Sequence, residues 1–246
     1  MTTSPDQKDE LAAPARPAKL RRSPHWYCAQ LLAKPLFSLW FRFRAKGVEK
    51  IPAESGALLL INHLSFLDPM LVGLPIPRAV SYLARDSLFR VPFVGWWLSK
   101  THVIPINRES AGTASIRAAV DRLRQGAIVG IFPEGTRSAD GRLGELKPGF
   151  LALVRRAKVP VFPVGVAGSA LAMPRGAWFV RPRHCCVVFG DAITPDTVES
   201  YSGREREDEL IALVRDRMSQ ALNEAEAWRA GTSRDPEPND SEVPAP

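Results

Sequence analysis

The sequence predicts an α/β fold on three observations. Apolar runs of strand length alternate along the chain with segments of helical period. Two of these runs, residues 56–61 and 127–131, end in compact polar clusters: Asn62-His63-Leu64-Ser65-Phe66-Leu67-Asp68-Pro69 and Phe132-Pro133-Glu134-Gly135-Thr136-Arg137-Ser138. The chain has 246 residues, 45% of them hydrophobic, and no internal repeat, which suits one domain with one substantial core. In open α/β sheets, ligand-binding groups collect beyond the carboxyl ends of the strands. The two clusters are therefore expected to share one mouth.

The elements follow in order. Residues 1–23, rich in Pro, Ala and charge, are expected to form a disordered basic N-terminus. Residues 26–44 (WYCAQLLAKPLFSLWFRFR) read as one or two short helices broken near Pro35. Their aromatic residues are mixed with Arg and Lys, the composition of a segment lying at a membrane interface, which is set at 24–46. The plainer alternative is a helix packed on the domain with its basic residues in water.

Residues 57–62 read as a strand, and a short helix starts at Asp68-Pro69, where a first-turn proline is tolerated. Residues 80–84 are a second strand. Residues 87–100 read as a helix carrying Phe89, Phe93, Trp96 and Trp97 on one face, either core or a wall for a long apolar ligand. A strand at 102–106 ends at Asn107-Arg108, and an amphipathic helix at 113–124 is closed by Gly126. After the strand at 127–132, a loop through Asp140-Gly141 leads to Lys147-Pro148-Gly149 and a helix at 150–157.

Residues 159–166 (VPVFPVGV) are strand-like, with prolines that call for an edge or a bulge. A strand at 184–189 has 178–181 as a candidate partner, and residues 207–227 form a last helix. The ordered domain is set at 47–229, and the Pro-rich residues 230–246 are expected to be a disordered tail.

Composition narrows the partners. A net charge of +7 and a pI near 9.7 favour anions. The excess is concentrated in Lys19, Arg21, Arg22, Lys34, Arg42, Arg44, Lys46 and Lys50, against the single acid Glu49. The cations near the polar clusters sit singly at strand ends rather than along an exposed groove with stacking aromatics, so no nucleic-acid partner is expected. Cys28, Cys185 and Cys186 have no metal or redox spacing, which suits reduced thiols. No run reaches the roughly 18–20 apolar residues of a membrane span, and the first 24 residues lack the apolar core of a signal peptide. The expected location is the cytoplasmic face of a membrane, peripheral or monotopic.

His63 and Asp68 are five positions apart. On a helix they would point about 140° apart after one turn, and on a strand an odd separation puts them on opposite faces. Only a turn between strand and helix lets them meet. There the carboxylate can hold Nδ1 and leave Nε2 free as a base. Taken alone, a histidine in such a pattern is more often a hydrogen-bonded structural residue than a base. In the second cluster Glu134 can accept hydrogen bonds from a polyol or hold Arg137, Gly135 permits close backbone approach, and Arg137 can grip a phosphate. An ordinary salt-bridged surface turn is the alternative. Arg108 and Lys147 repeat the pattern of a cation just past an ordered element.

No nucleophile motif is present. GxSxG, GxxxxGK[ST] and GxGxxG are all missing, and His25, His63, His102 and His184 have no zinc-ligand spacing. No metal and no cofactor are expected. The base is therefore expected to activate a hydroxyl of the substrate itself, in a direct transfer.

With these residues in place, Asn62-His63-x4-Asp68, Arg108, Phe132-Pro133-Glu134-Gly135-Thr136-Arg137-Ser138 and residues 159–164 resemble the four ordered blocks of the glycerolipid acyltransferases, of the 1-acylglycerol-3-phosphate acyltransferase type. The resemblance spans roughly residues 48–191. It implies a mostly parallel sheet flanked by helices, with an N-terminal interfacial helical segment. It also implies acyl transfer from acyl-CoA or acyl carrier protein, as co-substrate, to the free hydroxyl of a lysophospholipid. His63 would be the general base and Asp68 its orienting partner. Arg108, Glu134, Gly135, Thr136, Arg137 and Lys147 would bind the phosphate and glycerol end, and Pro163 would shape the acyl side.

Two positions depart from the family pattern: Asn107 stands where Asp is common, and Arg85 where Lys is. Both leave the acceptor open among 1-acylglycerol 3-phosphate, a lyso-ornithine lipid, another lysophospholipid and glycerol 3-phosphate. The non-enzyme alternative is a peripheral protein that binds anionic lipid.

Overall fold

The computed structural model describes residues 24–85, 103–106, 113–138, 140–177 and 179–231. Its centre is a seven-stranded sheet in the order β1-β7-β6-β2-β5-β3-β4. The strands are β1 Arg44–Lys46, β2 Ala57–Ile61, β3 Val80–Arg85, β4 Ile104–Ile106, β5 Ile128–Ile131, β6 Val161–Ala167 and β7 Cys186–Phe189. Neighbours run parallel except β6 and β7. The predicted mostly parallel α/β sheet is present.

β2 and β5 are buried at every residue, which explains their unbroken apolar sequence: a parallel sheet is covered on both faces. On one face Leu59, Ile61, Tyr82 and Ile128 pack with Phe37 and Phe41 of α1 (Pro24–Phe41) and Leu71 and Val72 of α2 (Asp68–Gly73). On the other, Leu58, Leu60, Val129 and Ile131 meet Leu123 of α3 (Thr113–Arg124), Leu153 and Val154 of α4 (Leu151–Ala157), and Leu210, Val214 and Met218 of the long C-terminal helix (Glu207–Arg229). Each such side chain contributes about 1.5–3 kcal/mol by leaving water. Two further short helices, α5 (Ser169–Ala172) and α6 (Pro195–Ser200), precede that long helix, which is α7. Residues 44–46, 169–172 and 195–200 were not expected as separate elements, because three to six residues hold too little of either period to register.

Several expectations need correction. α1 runs through Pro35 as one helix and stops where Arg42 takes a positive φ of 45°. The last residues assigned to the interfacial helical segment instead form edge strand β1, parallel to β7, with Arg44 N–H donating to Cys185 O at 3.1 Å. The proline-bearing β6 is not an edge strand but lies between β2 and β7. A bulge lies next to Pro163, the proline within this strand. Pro163 O accepts from Gly190 N–H at 2.9 Å, whereas the next rung is Val161–Ile193, so the partner side runs one residue longer. Residues 179–181 are not a strand; Arg181 N–H donates to Ala172 O at 2.8 Å, and β7 pairs with β1 and β6 instead. The termini 1–23 and 232–246, the expected helix at 87–100, and Asn107-Arg108 lie outside the described residues.

Among the described residues no helix is long and apolar enough to cross a membrane. α1 buries Phe37 and Phe41, whose rings meet edge-on at 4.9 Å, yet leaves Leu31, Leu36, Leu39 and Trp40 in the open, Leu39 at 85% exposure.

Candidate active site

The chain leaves β2 at Ile61 and makes a tight turn before α2 starts at Asp68. Asn62 anchors the exit. Its buried amide donates to Val166 O at 3.0 Å and accepts Val166 N–H at 2.7 Å, so a side chain adds one more rung between β2 and β6. Within the turn, Asp68 N–H donates to Ser65 O at 3.3 Å. Asp68 Oδ2 accepts the N–H groups of Leu64 and Ser65, each at 2.7 Å, and faces His63 Nδ1 at 2.9 Å.

An oxygen that already receives two backbone donors is oriented as an acceptor, which assigns the proton to Nδ1 and leaves Nε2 with a free lone pair. The His63 side chain keeps 18% exposure and Asp68 none, so the imidazole can be reached and the carboxylate cannot. Phe132 stacks on the His63 ring with centroids 4.1 Å apart and planes 29° from parallel, which fixes the ring's plane. The turn required by the five-residue spacing is present.

The Phe132–Ser138 loop follows β5, the parallel neighbour of β2, so both loops leave the same end of the sheet. Glu134 is buried. Its Oε1 accepts the backbone N–H of His63 at 2.8 Å and its Oε2 that of Gly144 at 2.8 Å. Burial holds its pKa above the usual glutamate value, with the two backbone hydrogen bonds pulling the other way. Glu134 therefore neither pairs with Arg137 nor presents a free oxygen to a polyol, as the sequence had suggested. It ties the two loops together. Ser138 N–H completes the tie by donating to His63 O at 2.7 Å.

Gly135 turns the chain with a positive φ of 68°, a region side chains avoid. A Cβ there would stand 3.4 Å from Lys147 Cδ, so the Lys147 stem lies along this glycine. Thr136 is exposed. The Arg137 guanidinium lies 3.8 Å from the centre of the Phe66 ring, over the turn that carries His63 and Asp68. Its Nη1 is buried without a hydrogen-bond partner. Burial lowers its pKa, and the charge of Arg175 adds to that effect.

The structure thus gathers His63, Asp68, Glu134, Gly135, Arg137 and Lys147. Pro163 is not brought to them: its ring abuts Gly190, beside Gly165 and Ala221 on the α7 face of the sheet. Arg108 falls outside the described residues. Asn62, Phe66 and Phe132 belong to the quoted motifs, but their roles came into view only with the packing. A cleft of about 460 Å³ lined by Glu54, Gly56, Arg124 and Lys158 holds none of the predicted site residues.

Comparison with known proteins follows the same residues. The acyltransferase family model matches residues 42–167, from the end of α1 to the end of β6. This chain belongs to the acyltransferase family. The acyltransferase is 28% identical to the 1-acyl-sn-glycerol-3-phosphate acyltransferase of Bacillus subtilis over 201 residues, covering 81% of this chain and 96% of that one. It is 31% identical to a chloroplastic 1-acyl-sn-glycerol-3-phosphate acyltransferase of Arabidopsis thaliana over 160 residues, 64% of this chain and 45% of the relative. The match thus spans about half the length of that plant protein, and 47% of a Brassica napus one. Among solved structures, the 1-acyl-sn-glycerophosphate acyltransferase of Thermotoga maritima superposes with a TM-score of 0.68 at 25% identity, covering 82% of this chain and 79% of that one.

Proposed function

We propose that this acyltransferase moves a fatty acyl group from a thioester, on CoA or acyl carrier protein, to the free hydroxyl of 1-acylglycerol 3-phosphate, giving phosphatidic acid. One observation carries the reading: a His63–Asp68 pair with Nε2 free, beside an Arg137 whose Nη1 is buried without a hydrogen-bond partner among the described residues. The named activity of the Bacillus subtilis relative and of the Thermotoga maritima structure supports the same acceptor.

The steps follow from the groups. Nε2 of His63 takes the proton of the acceptor hydroxyl as its oxygen attacks the thioester carbonyl carbon. Asp68, fixed by two backbone N–H groups, stabilises the imidazolium that forms. The tetrahedral intermediate collapses, the C–S bond breaks, and the departing thiolate takes the proton back from His63. The products are an ester and a free thiol, and no covalent enzyme intermediate is needed. Arg137, with Lys147 along Gly135, holds the phosphate, while Phe66 and Met70 form an apolar rim. The exposed Leu31, Leu36, Leu39 and Trp40 of α1 rest the enzyme on the membrane that holds its acceptor.

The test is to incubate the purified full chain with labelled acyl-CoA or acyl carrier protein and a panel of lyso-lipids, and to weigh the products. Phosphatidic acid from 1-acylglycerol 3-phosphate is expected. Product only from a lyso-ornithine lipid, another lysophospholipid or glycerol 3-phosphate would replace the acceptor, and no product from any of them would overturn the reading.

A further inference from the structure

We infer that Arg175 is a second cation of the acceptor site, closing with Arg137 on a phosphate monoester and favouring it over phosphodiester head groups. The inference rests on the reading above that the acceptor carries a phosphate. Arg175 lies outside the motifs that define that site.

Three relationships bring it there. The segment after α5 is tied to the His63 turn by Ser65 Oγ, which donates to Met173 O at 3.0 Å. Arg175 follows two residues later, in a turn closed by Ala177 N–H donating to Pro174 O at 3.0 Å, and its side chain is exposed. On the other side of the tie, Ser65 adjoins Phe66, whose ring carries Arg137 at 3.8 Å. Arg137 and Arg175 thus stand on segments tied to one turn. Burial lowers the pKa of Arg137, the charge of Arg175 lowers it further, and the buried Asp68 carboxylate opposes both.

Among the described residues the ion pairs of Arg155, Arg206 and Arg229 each end on a glutamate, and none involves Arg137 or Arg175. Arg137 Nη1 is moreover buried with nothing to donate to. A buried donor left unpaired carries a desolvation cost that an anionic ligand would relieve. A phosphate monoester has a second pKa of about 6 and so carries nearly two negative charges at pH 7. It offers three terminal oxygens to two planar guanidinium forks. A phosphodiester carries one charge and two free oxygens, and its extra substituent would have to pass between the arginines.

The experiment compares the full-length wild type with Arg175→Ala, Arg175→Lys, Arg137→Ala and the double alanine variant, at saturating acyl-CoA. The acceptor is 1-acylglycerol 3-phosphate with a chain short enough to stay monomeric, which separates phosphate binding from attraction to a membrane. Arg175→Ala is expected to raise the acceptor KM about tenfold, the loss of a charge-assisted hydrogen bond, with the loss falling on KM rather than kcat. Arg175→Lys should recover part of it. The double variant should lose less than the product of the single losses, because both arginines serve one group. An unchanged KM in Arg175→Ala, or an equal rise with 1-monoacylglycerol, which has no phosphate, would overturn the inference and leave the proposed activity standing. A wild type that acylates only other lyso-lipids would instead remove the reading on which it rests.

Discussion

The backbone N–H of His63 donates to Glu134 Oε1 at 2.8 Å across 71 positions of sequence. Ser138 N–H returns the bond to His63 O at 2.7 Å. The histidine's main chain is thus held by the loop after β5, and its ring is held by Asp68 and Phe132. Positioning is divided: one loop carries the imidazole and the other keeps its backbone in place.

His63→Ala should lower kcat by roughly 10²–10⁴, the usual worth of a general base. Asp68→Asn should cost less in chemistry but also perturb the turn, because Oδ2 holds Leu64 and Ser65 N–H as well as Nδ1. Steady-state turnover beside thermal unfolding separates the two effects. Near-normal turnover in His63→Ala would remove it from the mechanism.

Glu134→Gln replaces one acceptor oxygen with an amide NH2 aimed at a backbone donor, a loss of about 1–3 kcal/mol for a buried group. A lower unfolding midpoint at neutral pH and a reduced kcat are expected together. The pH dependence has a defined sign. Because burial raises this carboxyl's pKa, the folded state holds its proton more tightly than the unfolded chain. Its contribution to stability therefore falls as pH rises from the ordinary glutamate value of about 4.3 through the raised one. Glu134→Gln should flatten that slope, and scans of unfolding midpoint against pH would detect it. An unchanged slope would mean the buried carboxyl is not responsible.

Asn62→Ala leaves the N–H and C=O of Val166 without their side-chain partner in the interior. The expected cost is about 1–3 kcal/mol for each group left unpaired, read as a lower denaturant midpoint at constant slope. A midpoint within error of wild type would show that the amide does not hold β2 to β6.

Gly165→Ala would place a methyl group 2.2 Å from Ala221 O on α7. Only a glycine lets the helix backbone approach β6 this closely. Forcing the two apart should destabilise the fold by about 1–3 kcal/mol or more, measured by denaturant unfolding.

Leu39→Glu and Trp40→Glu should leave the folded domain intact, because both side chains are exposed. If α1 rests on a bilayer, each should weaken sedimentation with anionic vesicles by about tenfold, as expected for losing the burial of one large apolar side chain. Unchanged vesicle binding in both would place the membrane contact elsewhere.

Much of this was legible before any coordinate. The apolar runs at β2 and β5 announced buried parallel strands, and the five-residue gap between His63 and Asp68 required the turn that exists. Pro160 and Pro163 called for an edge or a bulge, and a bulge is present, inside the sheet rather than at an edge. Other features left no local trace. β1 is three residues long and shows no period, and the partner of Glu134 lies on another strand's loop.

The α/β class, the strand ends that carry chemistry, and the residue types available there can be read from the chain alone. Those follow from periodicity and spacing, which are local properties of a chain. How the groups divide their work was set by the folded packing. It placed Glu134 as a backbone tie, put Pro163 on the far face, and set Arg137 over Phe66. Hydrogen bonds and burial depend on which segments meet in space, and a charge reads the same in sequence whether or not folding supplies its partner.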